Sequence, residues 1–428
     1  MAFPIRKTLL TAALFGCVVT GASMAEETAH VSRRTARAIQ LTPTEQLVER
    51  GQSRLARGNY AAARADFDRA WRAGDHSPEV HQLLIRCLVG ERKLSLAEEE
   101  ARRLLNEHPE MASVHVTLAH IAYLSDDYQT AIDEASVAIA QGARLADGCF
   151  VRAYAHARLG QLEEALVDSR RAAAEPRDTS DFRAEAPHLL HGAILQQLNR
   201  DEDALLAYER ALRFNENSTE ALVGQWTCYQ RMQMLPAAFL VAEEMLAMSP
   251  DAVETLEANA VSHRQFKEYD VALQFATRWR EALFSDPRPC VEQARSLIAM
   301  HRWIPARETL EEAVARDDQD LPALVELSRL LVSCPDRDIR DVEFAQQLAE
   351  RACLLTDWES PTIMGILVSA HAAQGHQHQA ARLIDRCLSL LPLDAPSREI
   401  YAALLSELES PDTARIAEGD DQVPSTTR

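Results

Sequence analysis

The sequence predicts an all-α fold, an α-solenoid of about ten helical hairpins. Three observations carry this: composition, a recurring alanine, and columns of small and apolar residues in phase with it. Alanine, leucine, glutamate and arginine dominate, glycine contributes 14 of 428 residues and aromatics 6%. That is a helical composition without the turn residues of a β-rich chain. Ala63, Ala97, Ala131 and Ala165 stand 34 residues apart, Ala204 follows after 39, and Ala238, Ala272 and Ala306 resume the spacing of 34. Ala345 and Ala380 follow after 39 and 35 residues. A period held over ten units marks a repeat, whose units each bury too little alone and gain stability by stacking.

Other positions keep step. Twelve residues before the alanine lie Gly51, Ala119, Ala153, Gly192, Ala260 and Ala294. Small residues here and at the alanine let two antiparallel helices approach closely where they cross. Seven residues after it comes a packing column that includes Ala70, Leu104, Ala138, Met245, Trp279 and Cys387. Three before it stands an apolar anchor: Tyr60, Leu94, Tyr128, Leu162, Leu235, Tyr269 and Trp303. Thr42-Pro43, Ser77-Pro78 and Ser360-Pro361 pair a capping hydroxyl with proline at the first helical position. Gly58, Gly160 and Gly375 fall in the turn between paired helices.

The best unit reads Gly51, Gly58, Asn59, Tyr60, Ala63, Phe67, Ala70. On these residues the chain resembles the tetratricopeptide repeat family, over roughly residues 44–394. The resemblance implies a right-handed α-solenoid of about ten helix-turn-helix repeats, of the exported bacterial type. Repeats 1–4 occupy 44–179, a short insertion 180–184, and repeats 5–10 occupy 185–394. The ninth is irregular, with an elongated loop at Cys334–Asp341. Residues 395–409 read as a capping helix and 410–428 as a disordered tail with two prolines and no periodicity.

Residues 1–25 read as a signal peptide: Arg6 and Lys7, an apolar stretch from Thr8 to Val19, and Ser23-Met24-Ala25 before Glu26. The expected location is therefore the periplasm or the medium. A retained anchor over Thr8–Ala25 and a lipid on Cys17 stay open as routes to membrane attachment. Residues 26–43 read as a linker. The remaining cysteines, Cys87, Cys149, Cys228, Cys290, Cys334, Cys353 and Cys387, are odd in number and form no C-x-x-C pair, so buried thiols are expected.

The net charge is −20, with lysine only at positions 7, 93 and 267. An acidic chain repels phosphate backbones, which argues against nucleic acid. No phosphate loop, H-E-x-x-H or G-x-S-x-G is present. The expectation is therefore no enzyme, no cofactor and no small-molecule substrate. His371, His376 and His378 are the nearest approach to a metal cluster, without a carboxylate beside them.

The resemblance implies protein or peptide ligands on a concave face lined by the first helix of each repeat. Two stretches of that face stand out. His120, Tyr123, Phe150 and Tyr154, with Val116 and Val151, are apolar and aromatic. They read either as docking anchors or as residues covered by the next helix. Arg264, Arg295 and Arg329, with Glu257, Glu292 and Glu326, are charged. They read either as surface pairs at i, i+3 or as a contact site. The expected function is a protein-interaction scaffold, with an assembly factor of a secretion, pilus or envelope-polymer machine as the alternative.

Overall fold

A computed structural model describes residues 42–143, 145–174, 183–392 and 394–408. The expected leader with Cys17, nearly all of the linker, residues 180–182 of the insertion and the tail lie outside them. The described residues form 21 α-helices and one 3-10 turn, with no strand among them. Those up to 143 make one compact unit and those from Leu145 onward a second.

The first unit holds three hairpins: α1 (Pro43–Ala56) with α2 (Tyr60–Arg72), α3 (Pro78–Gly90) with α4 (Leu94–Glu107), and α5 (Ala112–Leu124) with α6 (Tyr128–Ala140). The second begins with α7 (Leu145–Arg158) and α8 (Leu162–Ala174), then α9 (Ala186–Gln197) and α10 (Asp201–Phe214). It continues with α11 (Thr219–Arg231) and α12 (Leu235–Met248), then α13 (Val253–Gln265) and α14 (Tyr269–Ala282). Next come α15 (Arg288–Ala299) and α16 (Trp303–Arg316), then α17 (Leu321–Ser333) and α18 (Val342–Leu355). It ends with α19 (Pro361–Ala373), α20 (Gln377–Leu390) and a final helix, α21 (Pro396–Leu408).

All ten column alanines are 0% exposed, so the period read from the sequence is the period of the core. The glycines twelve residues earlier act differently from the expectation. They make room for a ring, rather than for a bare backbone crossing. A Cβ on Gly51 would stand 2.4 Å from the Phe67 ring of the paired helix. In the fifth hairpin Tyr208 lies between two glycines, 2.8 Å from a Cβ built on Gly192 of that column and 2.3 Å from one built on Gly224, which stands outside the column on the next hairpin. Its hydroxyl donates to Gln196 Oε1 at 2.6 Å, and Gln196 Nε2 donates to the Gly224 carbonyl at 3.0 Å. The ring is thus fixed by both neighbours.

The turn within each hairpin needs one left-handed residue, five positions before the alanine. Gly58, Gly160 and Gly375 supply it at φ 74–79°. In six other hairpins Arg92, Asp126, Asn199, Gln233, Lys267 and His301 adopt it at φ 57–65°. Only glycine takes this conformation without cost. The ninth hairpin replaces the turn with the loop 334–341, which carries a 3-10 turn at Arg337–Ile339. Ile339 is buried there, Arg340 Nε donates to the Cys334 carbonyl at 2.6 Å, and the Asp341 N–H donates to the Leu331 carbonyl at 3.1 Å.

Of the three hydroxyl caps expected, one is made. Thr42 accepts from the Glu45 N–H at 3.2 Å while Glu45 accepts from the Thr42 N–H at 2.6 Å, a reciprocal capping box. Ser77 instead donates to the Asp75 carboxylate at 2.7 Å, a charged acceptor that outcompetes the helix end. Ser360 makes no side-chain cap. Asn59, Asp127, Ser218, Asp320 and Asp341 cap helices instead.

Two buried aspartates each tie the two helices of their own hairpin together. Asp66, 0% exposed, accepts from Arg50 at 2.6 and 2.9 Å and from Arg54 at 2.6 Å. Asp168 accepts from Arg152 at 2.7 and 2.9 Å at the same 16-residue spacing. All seven described cysteines are buried thiols. Burial pushes Cys87 up to about 12 and Cys228 and Cys353 to about 11.

Candidate functional site

Every odd-numbered helix up to α19 packs on its hairpin partner, and successive odd-numbered helices touch from α1 to α5 and from α7 to α19. No comparable contact joins the even-numbered helices. The odd-numbered helices therefore make the more closely packed side of each unit, and every candidate peptide-binding residue from the sequence lies on one of them.

The charged candidates come together. Arg264 on α13 pairs with Glu292 on α15. Arg295, also on α15, donates to Glu292 at 3.3 Å and to Glu326 on α17 at 2.9 Å. Arg329 on α17 pairs with Glu326. The i, i+3 pairs expected from the sequence are present, but they are half of the arrangement. The other half crosses between helices, so five side chains run as one alternating ladder over three hairpins. The two glutamates are buried at its base, at 4% and 8% exposure, while the Arg329 side chain is 56% exposed. Burial works against the Arg295 charge, yet Glu326 and Glu292 outweigh it and hold its pKa above the ordinary value. Glu257 stands outside the ladder, 3.5 Å from Arg288, and burial raises its pKa.

A cleft of about 460 Å³ opens on this ladder, lined by Arg264, Arg295, Glu326 and Arg329 with Ile298, Trp303, Leu330, Ser333, Cys334 and Pro335. The sequence reading placed the arginines on one face but missed the apolar part of the lining. One signal was available: Trp303 occupies the anchor column, where six other hairpins carry tyrosine or leucine. Pro335 belongs to the loop that only the ninth hairpin has.

The aromatic candidates divide between the two units. In the first, His120 is partly buried on α5, and burial, followed by Arg86 and Arg92, draws its pKa down to about 4. It is therefore a neutral imidazole at pH 7. Tyr123 is partly buried, its ring 5.9 Å from Tyr128. In the second, Phe150 on α7 is only 6% exposed and meets the ring of Tyr154 edge-on at 5.2 Å. Val116 and Val151 are buried at 6% and 2%, and so belong to the core. Phe150 is as buried as Val116.

His371 is buried with Nδ1 unpartnered, and His376 and His378 are exposed. The first two rings lie 5.8 Å apart. Among the described residues no group of three ligating side chains is placed to hold a metal. No described helix is long and apolar enough to cross a membrane.

Known proteins resemble the chain in fold. Yeast Tom70 aligns over 88% of this chain and 99% of its own, at 11% identity and a TM-score of 0.45. A tetratricopeptide repeat protein from Parabacteroides merdae aligns over 62% of this chain and 99% of its own, at 15% identity and 0.46. PilF of Pseudomonas aeruginosa aligns over 49% and 93%, at 17% identity and 0.44. No curated protein matches in sequence. The tetratricopeptide repeat family model matches residues 54–121, the stretch from the end of α1 into α5. The same two-helix hairpin, with its buried alanine column, recurs through α20, so the architecture of the matched stretch is repeated along the described residues.

Proposed function

We propose that this chain is a protein-interaction scaffold whose partner lies along the odd-numbered helices. Tetratricopeptide hairpins serve in general as scaffolds for protein binding. The observation that carries the finer reading is the cleft on α13, α15 and α17, where three guanidinium groups and a tryptophan meet in one opening. Interfaces take most of their energy from a few arginine and aromatic side chains in such recesses. His120 and Tyr123 on α5, and Tyr154 beside Phe150 on α7, extend the same reading to the other odd-numbered helices. A photo-crosslinking amino acid tests it. Placed at Arg329 it should yield a discrete crosslinked species in cells. Placed at Leu240, 69% exposed on the even-numbered α12, it should not. Equal capture at both positions, or capture only at the second, would overturn the choice of face.

A further inference from the structure

We propose that the cleft on α13, α15 and α17 receives an extended acidic peptide segment, whose Asp or Glu side chains meet Arg329 and Arg295 while an adjacent apolar side chain rests on Trp303 and Leu330. This rests on the scaffold reading above and names the partner's chemistry.

Charge is the first argument. The chain carries a net −20, yet the cleft lining holds three guanidiniums and one carboxylate, Glu326, and with the Glu292 carboxylate beneath them the cluster still keeps one positive charge in excess. The sign of the surface is locally reversed. A short acidic segment would be attracted here, whereas a long polyanion such as nucleic acid would be repelled by the remainder of the chain. Preorganisation is the second. Glu292 and Glu326 hold the guanidiniums from below, so little side-chain freedom is left to lose when a ligand binds. Arg329 spends one donor on Glu326 and is more than half exposed, so further donors of its five remain for a carboxylate. Shape is the third. About 460 Å³ lies in the range that binding pockets span, and Trp303 with Leu330 supplies an apolar wall beside the charges.

The experiment uses the full chain and a random twelve-residue peptide library displayed with its C-terminus fused, so that no chain-end carboxylate is present. Enriched peptides are then synthesised with amidated ends, labelled, and titrated by fluorescence anisotropy. The expected result is enrichment of Asp and Glu next to a large apolar residue. Affinity should fall about tenfold or more in Arg329→Gln and weaken with added salt. Arg329→Gln leaves Glu326 paired with Arg295 at 2.9 Å, so the fold survives, and an unchanged circular dichroism spectrum verifies it. Arg278→Gln on α14, whose side chain pairs with Asp251 at 2.7 Å outside the cleft lining, serves as the control and should bind as wild type. Enriched peptides without acidic residues, or peptides that bind Arg329→Gln as well as wild type, would overturn the inference and leave the scaffold reading standing. No enrichment at all would count against both.

Discussion

Gly224→Ala should destabilise the protein, although alanine is the better helix former. Gly224 lies in the middle of α11, where alanine gains about 0.5–1 kcal/mol over glycine. Its new Cβ would stand 2.3 Å from the Tyr208 ring. The ring cannot yield, because Gly192 closes its other side and Gln196 holds its hydroxyl. Overpacking of this kind costs about 1–3 kcal/mol, and displacing the hydroxyl forfeits a hydrogen bond of about 1 kcal/mol. The net loss is about 1–3 kcal/mol. With Tyr208→Ala in the background the obstacle disappears, and Gly224→Ala should then stabilise by up to about 1 kcal/mol. The sign of one substitution therefore reverses with the identity of a second residue. Urea unfolding followed at 222 nm measures the cycle, and hydrogen exchange in α9–α11 covers stepwise opening. Stabilisation by Gly224→Ala in the wild-type background would refute the account of the ring.

Asp66→Asn should cost the first unit about 1.5–3 kcal/mol, the worth of hydrogen bonds to charged groups, read by urea unfolding at pH 7. The same residue sets an acid dependence. Hydrogen bonds from Arg50 hold the Asp66 pKa below its ordinary value against the opposing effect of burial. Its stabilisation is complete above the unfolded pKa of about 4 and is lost as pH falls through the lower folded value, and the asparagine variant should lack this loss. Gln233→Gly and His301→Gly should each raise stability by about 0.5–1 kcal/mol. The relief of a left-handed side chain, about 1–2 kcal/mol, exceeds the added chain entropy of glycine. Asn199→Gly should change little, since asparagine tolerates that conformation, and thermal melts of the three variants compare them directly.

The repeat was legible in the sequence because its strictest requirement is steric. A residue that must have no exposed surface at a helix crossing is held to alanine, and all ten positions keep it. The left-handed turn was legible only at Gly58, Gly160 and Gly375. Elsewhere stacking tolerates Arg92 or Lys267, at a modest energetic cost that leaves no mark in the sequence. Ser77 misled for a local reason, a competing carboxylate two residues away. In the candidate site, Arg295 and Arg329 keep the spacing of 34 residues, and so do Glu292 and Glu326, which made their pairs readable. Arg264 is out of phase with them. Its bond to Glu292 depends on how α13 meets α15, and that is decided by packing rather than by sequence spacing. The partition of Val116 and Val151 into the core and of Tyr154 toward the surface depends on the same helix-to-helix rotation.

The buried thiols give the molecule a property unrelated to binding. Cys87, Cys149, Cys228, Cys290, Cys334, Cys353 and Cys387 sit on α3, α7, α11, α15, the loop after α17, α18 and α20. Each is closed to a water-borne alkylating reagent while its own hairpin is shut, and those with raised pKa values stay protonated and unreactive besides. Labelling at one of them therefore requires that hairpin to open, and its rate reports how often it does. The wild-type chain thus carries a natural ruler of local breathing along its length, with a graduation in most of its hairpins and no engineered probe.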